Sequence, residues 1–192
     1  METLNNGRTY RLKIQHSLKQ KEYVDWLYRQ LQPLVGAVPR MRIHSGVLPQ
    51  GTKCTIALYG FSTYSLGILR FYGQQFYTDE KKKVIPRMLK KMLTPLAIAI
   101  WYLDDGSFKS NRHRTFIIHT HGYTVPELKN IQEVLMQYEI KTALHRQIRE
   151  TKTYWRIYVI SESAERFSKL ITQVAREIPS MRYKLGNTMP KE

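Results

Sequence analysis

Two adjacent carboxylates, Asp104 and Asp105, close a stretch that otherwise carries no charge. Leu93–Ser107 reads Leu-Thr-Pro-Leu-Ala-Ile-Ala-Ile-Trp-Tyr-Leu-Asp-Asp-Gly-Ser. Thr94 before Pro95 marks a helix start, a hydroxyl cap followed by a residue whose fixed φ suits the first helical position. No charged residue occurs from Leu96 to Leu103, which predicts a helix buried on every side. Ala97 and Ala99 leave room for a neighbouring helix backbone. The helix then runs into Asp104, Asp105 and Gly106. A helix C-terminus is partially negative, so each carboxylate there costs about 0.3 kcal/mol or more, and a bound cation reverses the sign. Asp and Gly also make ordinary turns, and the pair taken alone leaves both readings open. Behind a fully apolar helix, the acids read as a metal site.

The surrounding composition says what such a site would work on. The chain has 192 residues, 42% of them hydrophobic, enough for one domain or for two small halves with a core. Its formal charge of +16 points to a polyanion. The Lys and Arg residues are spread along the whole chain and form no basic amphipathic helix, which favours nucleic acid over a membrane surface. The single Cys54 leaves no intrachain disulfide and suits a reducing compartment. Met1–Tyr10 lacks the apolar core of a secretory signal, and no apolar run approaches the ~20 residues that span a bilayer. An intracellular setting follows as an expectation, either bacterial cytoplasm or an organelle such as a mitochondrion or chloroplast.

The elements that must position the acids form two similar passes. Arg8–Ser17 alternates, with Arg11, Lys13 and Gln15 opposite Leu12 and Ile14, and predicts a half-buried strand. A helix over Lys19–Leu34 follows, closed by Pro33 and Gly36. Arg40, Arg42 and His44 alternate with Met41 and Ile43 in a second strand. Gly46, Pro49 and Gly51 turn it into a third over Lys53–Tyr59. Ser65–Tyr77 reads as a short helix, and Lys81-Lys82-Lys83 as a basic loop. After the central helix come a strand over Arg114–Thr120 and a helix over Val125–Tyr138. A strand over Thr142–Arg149 aligns His145, Gln147 and Arg149. The next, Tyr154–Ile160, sets Arg156 and Tyr158 opposite Trp155, Ile157 and Val159. A closing helix covers Glu162–Ala175. Arg8-Thr9-Tyr10 returns as Arg114-Thr115-Phe116, and Ile85-Pro86 returns as Ile178-Pro179. The halves divide at 1–92 and 93–192. Carried back by the first offset, Asp105 finds its counterpart ahead of Met1, so the first half is expected to lack its acid-bearing helix.

Ile98–Gly106 resembles the nine-residue signature of the LAGLIDADG homing endonucleases, with Asp105 on the catalytic acid and Gly106 on the final glycine. Ile100 stands where that signature usually has Gly. Lys83–Pro86, Thr120–Thr124 and Tyr183–Thr188 also match the two-motif branch, with Gly186 in place of an expected Pro. The resemblance covers essentially the whole chain. It implies an α+β fold, a pseudo-twofold repeat of two half-domains, each an antiparallel sheet with helices packed on one face. It implies metal-dependent hydrolysis of double-stranded DNA at a long specific site, with Mg²⁺ as cofactor and Mn²⁺ as a substitute. Asp105 becomes the metal ligand, Asp104 and Gly106 its supporting neighbours, and Lys83 and Lys184 the basic catalytic groups. A monomer is expected for the complete two-motif protein, with intron RNA as a second partner class.

The strand faces name the DNA-binding candidates: Arg11, Lys13, Gln15, Arg40, Arg42, His121, His145, Gln147 and Arg149. A β-ribbon fits the major groove, where base edges differ. His119 and His121 share a strand face but have no Cys nearby, so a DNA-facing surface is the better reading than zinc. No Gly-rich phosphate loop or Gly-x-Ser-x-Gly elbow is present. Two alternatives remain beside the endonuclease: a maturase-like RNA-binding protein, and a DNA-binding relic that no longer cuts. The expected lack of a first motif also predicts weak double-strand cleavage and an underpacked central helix.

Overall fold

The computed structural model describes residues 1–4, 9–47, 51–78, 80, 82–110, 112–113 and 115–188. Arg8, Pro49, Lys81 and Arg114 lie outside the described residues. The chain separates into two compact units, Met1–Gln74 and Gln75–Glu192. These do not coincide with halves cut at residue 92. The reason is local: Ile85 N–H donates to Glu127 Oε1 at 3.2 Å and the Tyr138 hydroxyl to Leu93 O at 3.0 Å, tying the segment before the central helix to the second unit.

In the first unit, β1 (Glu2–Leu4) and β2 (Thr9–Arg11) pair antiparallel. A three-stranded antiparallel sheet follows, in the order β3 (Lys13–Ser17), β5 (Lys53–Ser62), β4 (Arg40–Val47). The single strand expected over Arg8–Ser17 is therefore broken. Leu12 is the break, because its N–H and carbonyl both turn to Thr63. Helix α1 (Lys21–Leu31) covers one sheet face with Tyr23, Val24, Trp26 and Leu27. Tyr59 donates to Asp25 at 3.0 Å, and Tyr28 packs edge-on against Phe61. Helix α2 (Ile68–Phe76) carries the chain across the unit boundary after Gln74. Met41 and Ile43, which alternate with the basic residues of β4, are 54% and 65% exposed rather than buried, since the hairpin runs beyond α1.

The second unit opens with the single turn α3 (Leu89–Met92) and the central helix α4 (Pro95–Asp105). Its four-stranded antiparallel sheet has the order β6 (Gly106–Phe108), β7 (Phe116–His119), β9 (Lys152–Val159), β8 (Thr142–Arg149). Helices α5 (Val125–Met136) and α6 (Ser161–Ala175) complete it, and a 3-10 segment over Pro179–Thr188 closes it. The start of α5 is a capping box, with Glu127 accepting from Thr124 N–H at 2.8 Å. Thr94 caps α4 by accepting from Ala97 N–H at 3.2 Å, as the Thr-Pro start predicts. Only one side of α4 is fully buried, however. Ile98, Ala99, Tyr102 and Leu103 face the core, while Leu96 is 49% exposed. Absence of charge on a helix therefore does not by itself bury every face.

The core centres on an aromatic triangle. Tyr102 meets Phe116 and Phe167 edge-on at 5.5 and 5.3 Å, and Phe116 lies 5.2 Å from Phe167. All three side chains are fully buried and join α4, β7 and α6. Phe167→Ala is expected to destabilise the chain by about 3–5 kcal/mol, the usual cost of emptying a core aromatic site. Urea unfolding followed by circular dichroism measures it.

Candidate active site and nucleic-acid interface

Asp104 and Asp105 are exposed at the C-terminal end of α4. Gly106 follows in extended backbone, φ −91°, and leads directly into β6. A side chain at Gly106 would overlap the Tyr102 ring, so glycine is required there for close approach rather than for a left-handed turn. The two acids are not left against a bare helix terminus. Lys184, 7% exposed, brings its ammonium to the carbonyls of Leu103 and Asp104, the latter at 3.1 Å. Tyr102 returns the tie, its hydroxyl donating to Lys184 O at 2.7 Å. Burial holds the Lys184 ammonium below its usual range, against the opposing pull of Asp104 and Asp105. Burial likewise pushes the Tyr102 phenol up.

Lys184, which the family resemblance makes a basic catalytic group, here binds the end of the helix. A cation at a helix C-terminus satisfies carbonyls that lack intrahelical partners. Gly186, the departure from an expected Pro, sits at φ +54°, where a proline ring cannot go, and lies against the Phe108 ring. Lys83 is exposed and held by an antiparallel bridge to Tyr77.

Around Asp105 stand groups that feel its charge. His119 accepts or donates a hydrogen bond with Ser107 Oγ at 3.0 Å, and its ring lies 5.6 Å from that of His121. Burial, with the nearby Arg156 and His121, lowers its pKa, and Asp105 partly opposes the shift. Tyr123 is held above its usual range by burial, then by Asp105 and Glu127. Among the described residues, no group of three or more His, Cys, Asp or Glu converges to hold a metal. An exposed carboxylate with carbonyls nearby instead suits a hard cation that keeps much of its water shell.

The sheet of the same unit has one face turned away from its helices. Residues paired directly across strands share a face, and the register links Ser107, Ile117, Tyr158 and Ala143, then His119, Arg156 and His145, then Tyr154 and Gln147. His145 stacks on Tyr158 at 3.9 Å, and the Lys109 ammonium lies 5.2 Å from the Tyr158 ring. His121 meets Tyr154 edge-on at 5.3 Å. Gln147 Oε1 and Arg156 Nε are shielded from solvent and have no hydrogen-bond partner among the described residues. Among the described residues, no strand position on this face carries a carboxylate. The acids of α5 and α6 lie on the helix side, two of them paired, in Lys141–Glu162 and Lys169–Glu165.

In the first unit, Lys13, Gln15, Arg40, Arg42 and His44 share the sheet face opposite α1. Arg11 belongs to the separate β1–β2 pair. Glu2 binds both Arg11 at 2.7 Å and Lys13 at 3.1 Å, and these bonds hold its carboxyl below its usual range. The structure therefore gathers Asp104, Asp105, Gly106 and Lys184 at one helix end, and gathers His145, Gln147 and the Arg149 position on one sheet face. It sets Arg11 apart. Ser107, Tyr154, Arg156 and Tyr158 join the candidate site unexpectedly. The alternation of β9 already marks Arg156 and Tyr158 as outward, but nothing local marks Ser107.

A sequence profile of the LAGLIDADG DNA endonuclease family matches residues 1–167. The DNA endonuclease I-ChuI of Chlamydomonas applanata is 27% identical over 195 residues, covering 97% of this chain and 88% of its own length. The cytochrome b mRNA maturase bI2 of Debaryomyces hansenii is 32% identical over 130 residues, 67% of this chain but 47% of the relative. In fold, the homing endonuclease I-WcaI bound to its DNA recognition sequence superposes with a TM-score of 0.74 at 19% identity, over 96% of this chain and 88% of that one. The chain belongs to the LAGLIDADG DNA endonuclease family. Its α+β architecture, two antiparallel sheets with helices, is that of the family's two half-domains.

The lowered pKa of His119 sets a pH window. Its folded value lies below the ordinary 6.5, so below pH 6.5 the unfolded chain takes up more protons and folding loses stability as pH falls through the folded value. His119→Gln is expected to lose less stability than wild type between pH 7.5 and 5. Urea midpoints at the two pH values measure the difference.

Proposed function

We propose that the chain is a sequence-specific endonuclease of homing type that hydrolyses phosphodiesters in double-stranded DNA with a divalent cation, Mg²⁺ in the first instance. The observation that carries this reading is the joining, within one unit, of an exposed Asp105 to a basic and aromatic sheet face that bears no carboxylate among the described residues. Asp105 is the cation ligand, with Asp104 beside it. The cation, when bound, supplies activation of water and stabilisation of the leaving oxygen. Lys184 positions the end of α4 that carries the ligand. Lys83, exposed on its loop, offers charge to a phosphate. The Ser107–His119 pair, close to Asp105, keeps an ordered polar group beside the reacting phosphate. Lys13, Gln15, Arg40 and Arg42 on one sheet, and His145, Gln147 and Arg149 on the other, contact groove edges and backbone; His121 meets the backbone beside Tyr154.

Intron RNA is the second partner class, favoured by the likeness to a named mRNA maturase. Competition between a duplex and a folded intron RNA separates the two. Among the described residues, no helix is long and apolar enough to cross a membrane.

Two outcomes test the reading. Duplex affinity should fall by about 10³-fold between 50 and 200 mM salt if roughly six phosphates are contacted, and a flat log–log plot would refute the electrostatic interface. Asp105→Asn should reduce nicking of a plasmid carrying the selected site by about 10²-fold or more while leaving binding intact. Gel assays of nicking and of mobility shift report the two quantities, and undiminished nicking would remove Asp105 from its role.

A further inference from the structure

The two sheets offer different central strands to a ligand. In the second unit, β9 presents Lys152, Tyr154, Arg156 and Tyr158 on the face away from the helices, a spine of donors and rings. In the first unit, β5 presents Cys54, Ile56, Leu58, Gly60 and Ser62 on the corresponding face. That spine is apolar at its middle. Its flanks are not: Ile56 lies opposite His44, Leu58 opposite Arg42 and Ser17, and Gly60 opposite Arg40 and Gln15. Ile56 is 49% exposed, although α1 packs on the other face of the sheet.

An exposed apolar ridge beside the basic row of Arg40 and Arg42 suits one ligand in particular. Arg40 and Arg42 hold phosphates along the β4 side, and polar Gln15 and Ser17 border the other, which brings a groove floor onto the ridge. The one apolar group on a major-groove base edge is the thymine 5-methyl, and aliphatic side chains read it by contact. Guanine and cytosine edges present only acceptors and donors there, which an aliphatic ridge leaves unpaired at a cost. From this we infer that Ile56 and Leu58 are specificity-determining residues that read thymine methyl groups in the half-site under the first unit. The second unit, with Arg156, His145 and Gln147, reads hydrogen-bonding edges instead. The target is thereby asymmetric, richer in A·T pairs under the first unit. The inference rests on duplex DNA being the partner.

The test selects duplexes from a randomised library with the full 192-residue chain, then replaces each selected thymine by deoxyuridine, which removes only the methyl. At one or more thymines, wild type should lose affinity by about fourfold, the worth of one buried methyl. Ile56→Ala, an exposed position that leaves the fold intact, should bind with the same salt slope and lose that sensitivity. Ile43→Ala, on the helix side of the same hairpin, should keep it. Deoxyuridine without effect on wild type, or the same loss in Ile56→Ala, overturns the inference while duplex binding stands. An Ile56→Ala change confined to self-association would make a second copy the occupant of the ridge and also overturn it. Recovery of no duplex would refute the DNA-binding reading itself, and this inference with it.

Discussion

A buried ammonium at the end of an apolar helix is the constraint on which the second unit turns. The last carbonyls of α4 have no partners within the helix, and two carboxylates at that end add to an already negative terminus. Lys184 reaches Leu103 O and Asp104 O from a segment some eighty residues further along the chain. It offsets the local charge and satisfies the carbonyls together. A buried charge is expensive unless it is well bonded, and both carbonyls, with Asp104 and Asp105 nearby, meet that condition. The return bond from Tyr102 to Lys184 O makes the tie reciprocal. Tyr102 also belongs to the aromatic core and lies against Gly106. The position of Asp105 is thus set by the same side chain that anchors the helix.

The charge distribution follows from this frame. The acids of α5 and α6 sit on the helix side of the second unit, where Lys141 and Lys169 neutralise two of them. The opposite face of its sheet carries Arg, Lys, His, Gln and Tyr around Ser107, Ile117 and Ala143. Paired positions along antiparallel strands bring these side chains into rows, and stacking of His145 on Tyr158 makes part of the row rigid. A rigid basic surface beside an exposed carboxylate is an arrangement for handling a polyanion and a cation together. The first unit repeats the layout with a different central strand, and it also holds Glu2 against Arg11 and Lys13.

Much of this was legible in the residues because it rests on local chemistry. Thr94-Pro95 marks the start of α4, and the alternation of β4, β8 and β9 sorts side chains by face. What could not be read depends on long-range contacts. The break at Leu12 needs Thr63, the withdrawal of Arg11 needs Glu2, and the burial of Lys184 needs the end of α4. Short β1 and β6 carry too few residues for a pattern. The prediction that α4 is buried all round treated polarity as sufficient, whereas burial depends on which elements pack against each face. Gly186, a departure at the level of the family pattern, is explained once its left-handed φ is seen.

The account stands or falls on Asp105 as a cation ligand held by its helix end. Electron paramagnetic resonance of Mn²⁺ added to the chain on its selected duplex observes that ligation without relying on cleavage. The account predicts a bound Mn²⁺ signal for wild type and its loss in Asp105→Asn at equal duplex occupancy. An undiminished bound signal in the variant would contradict it.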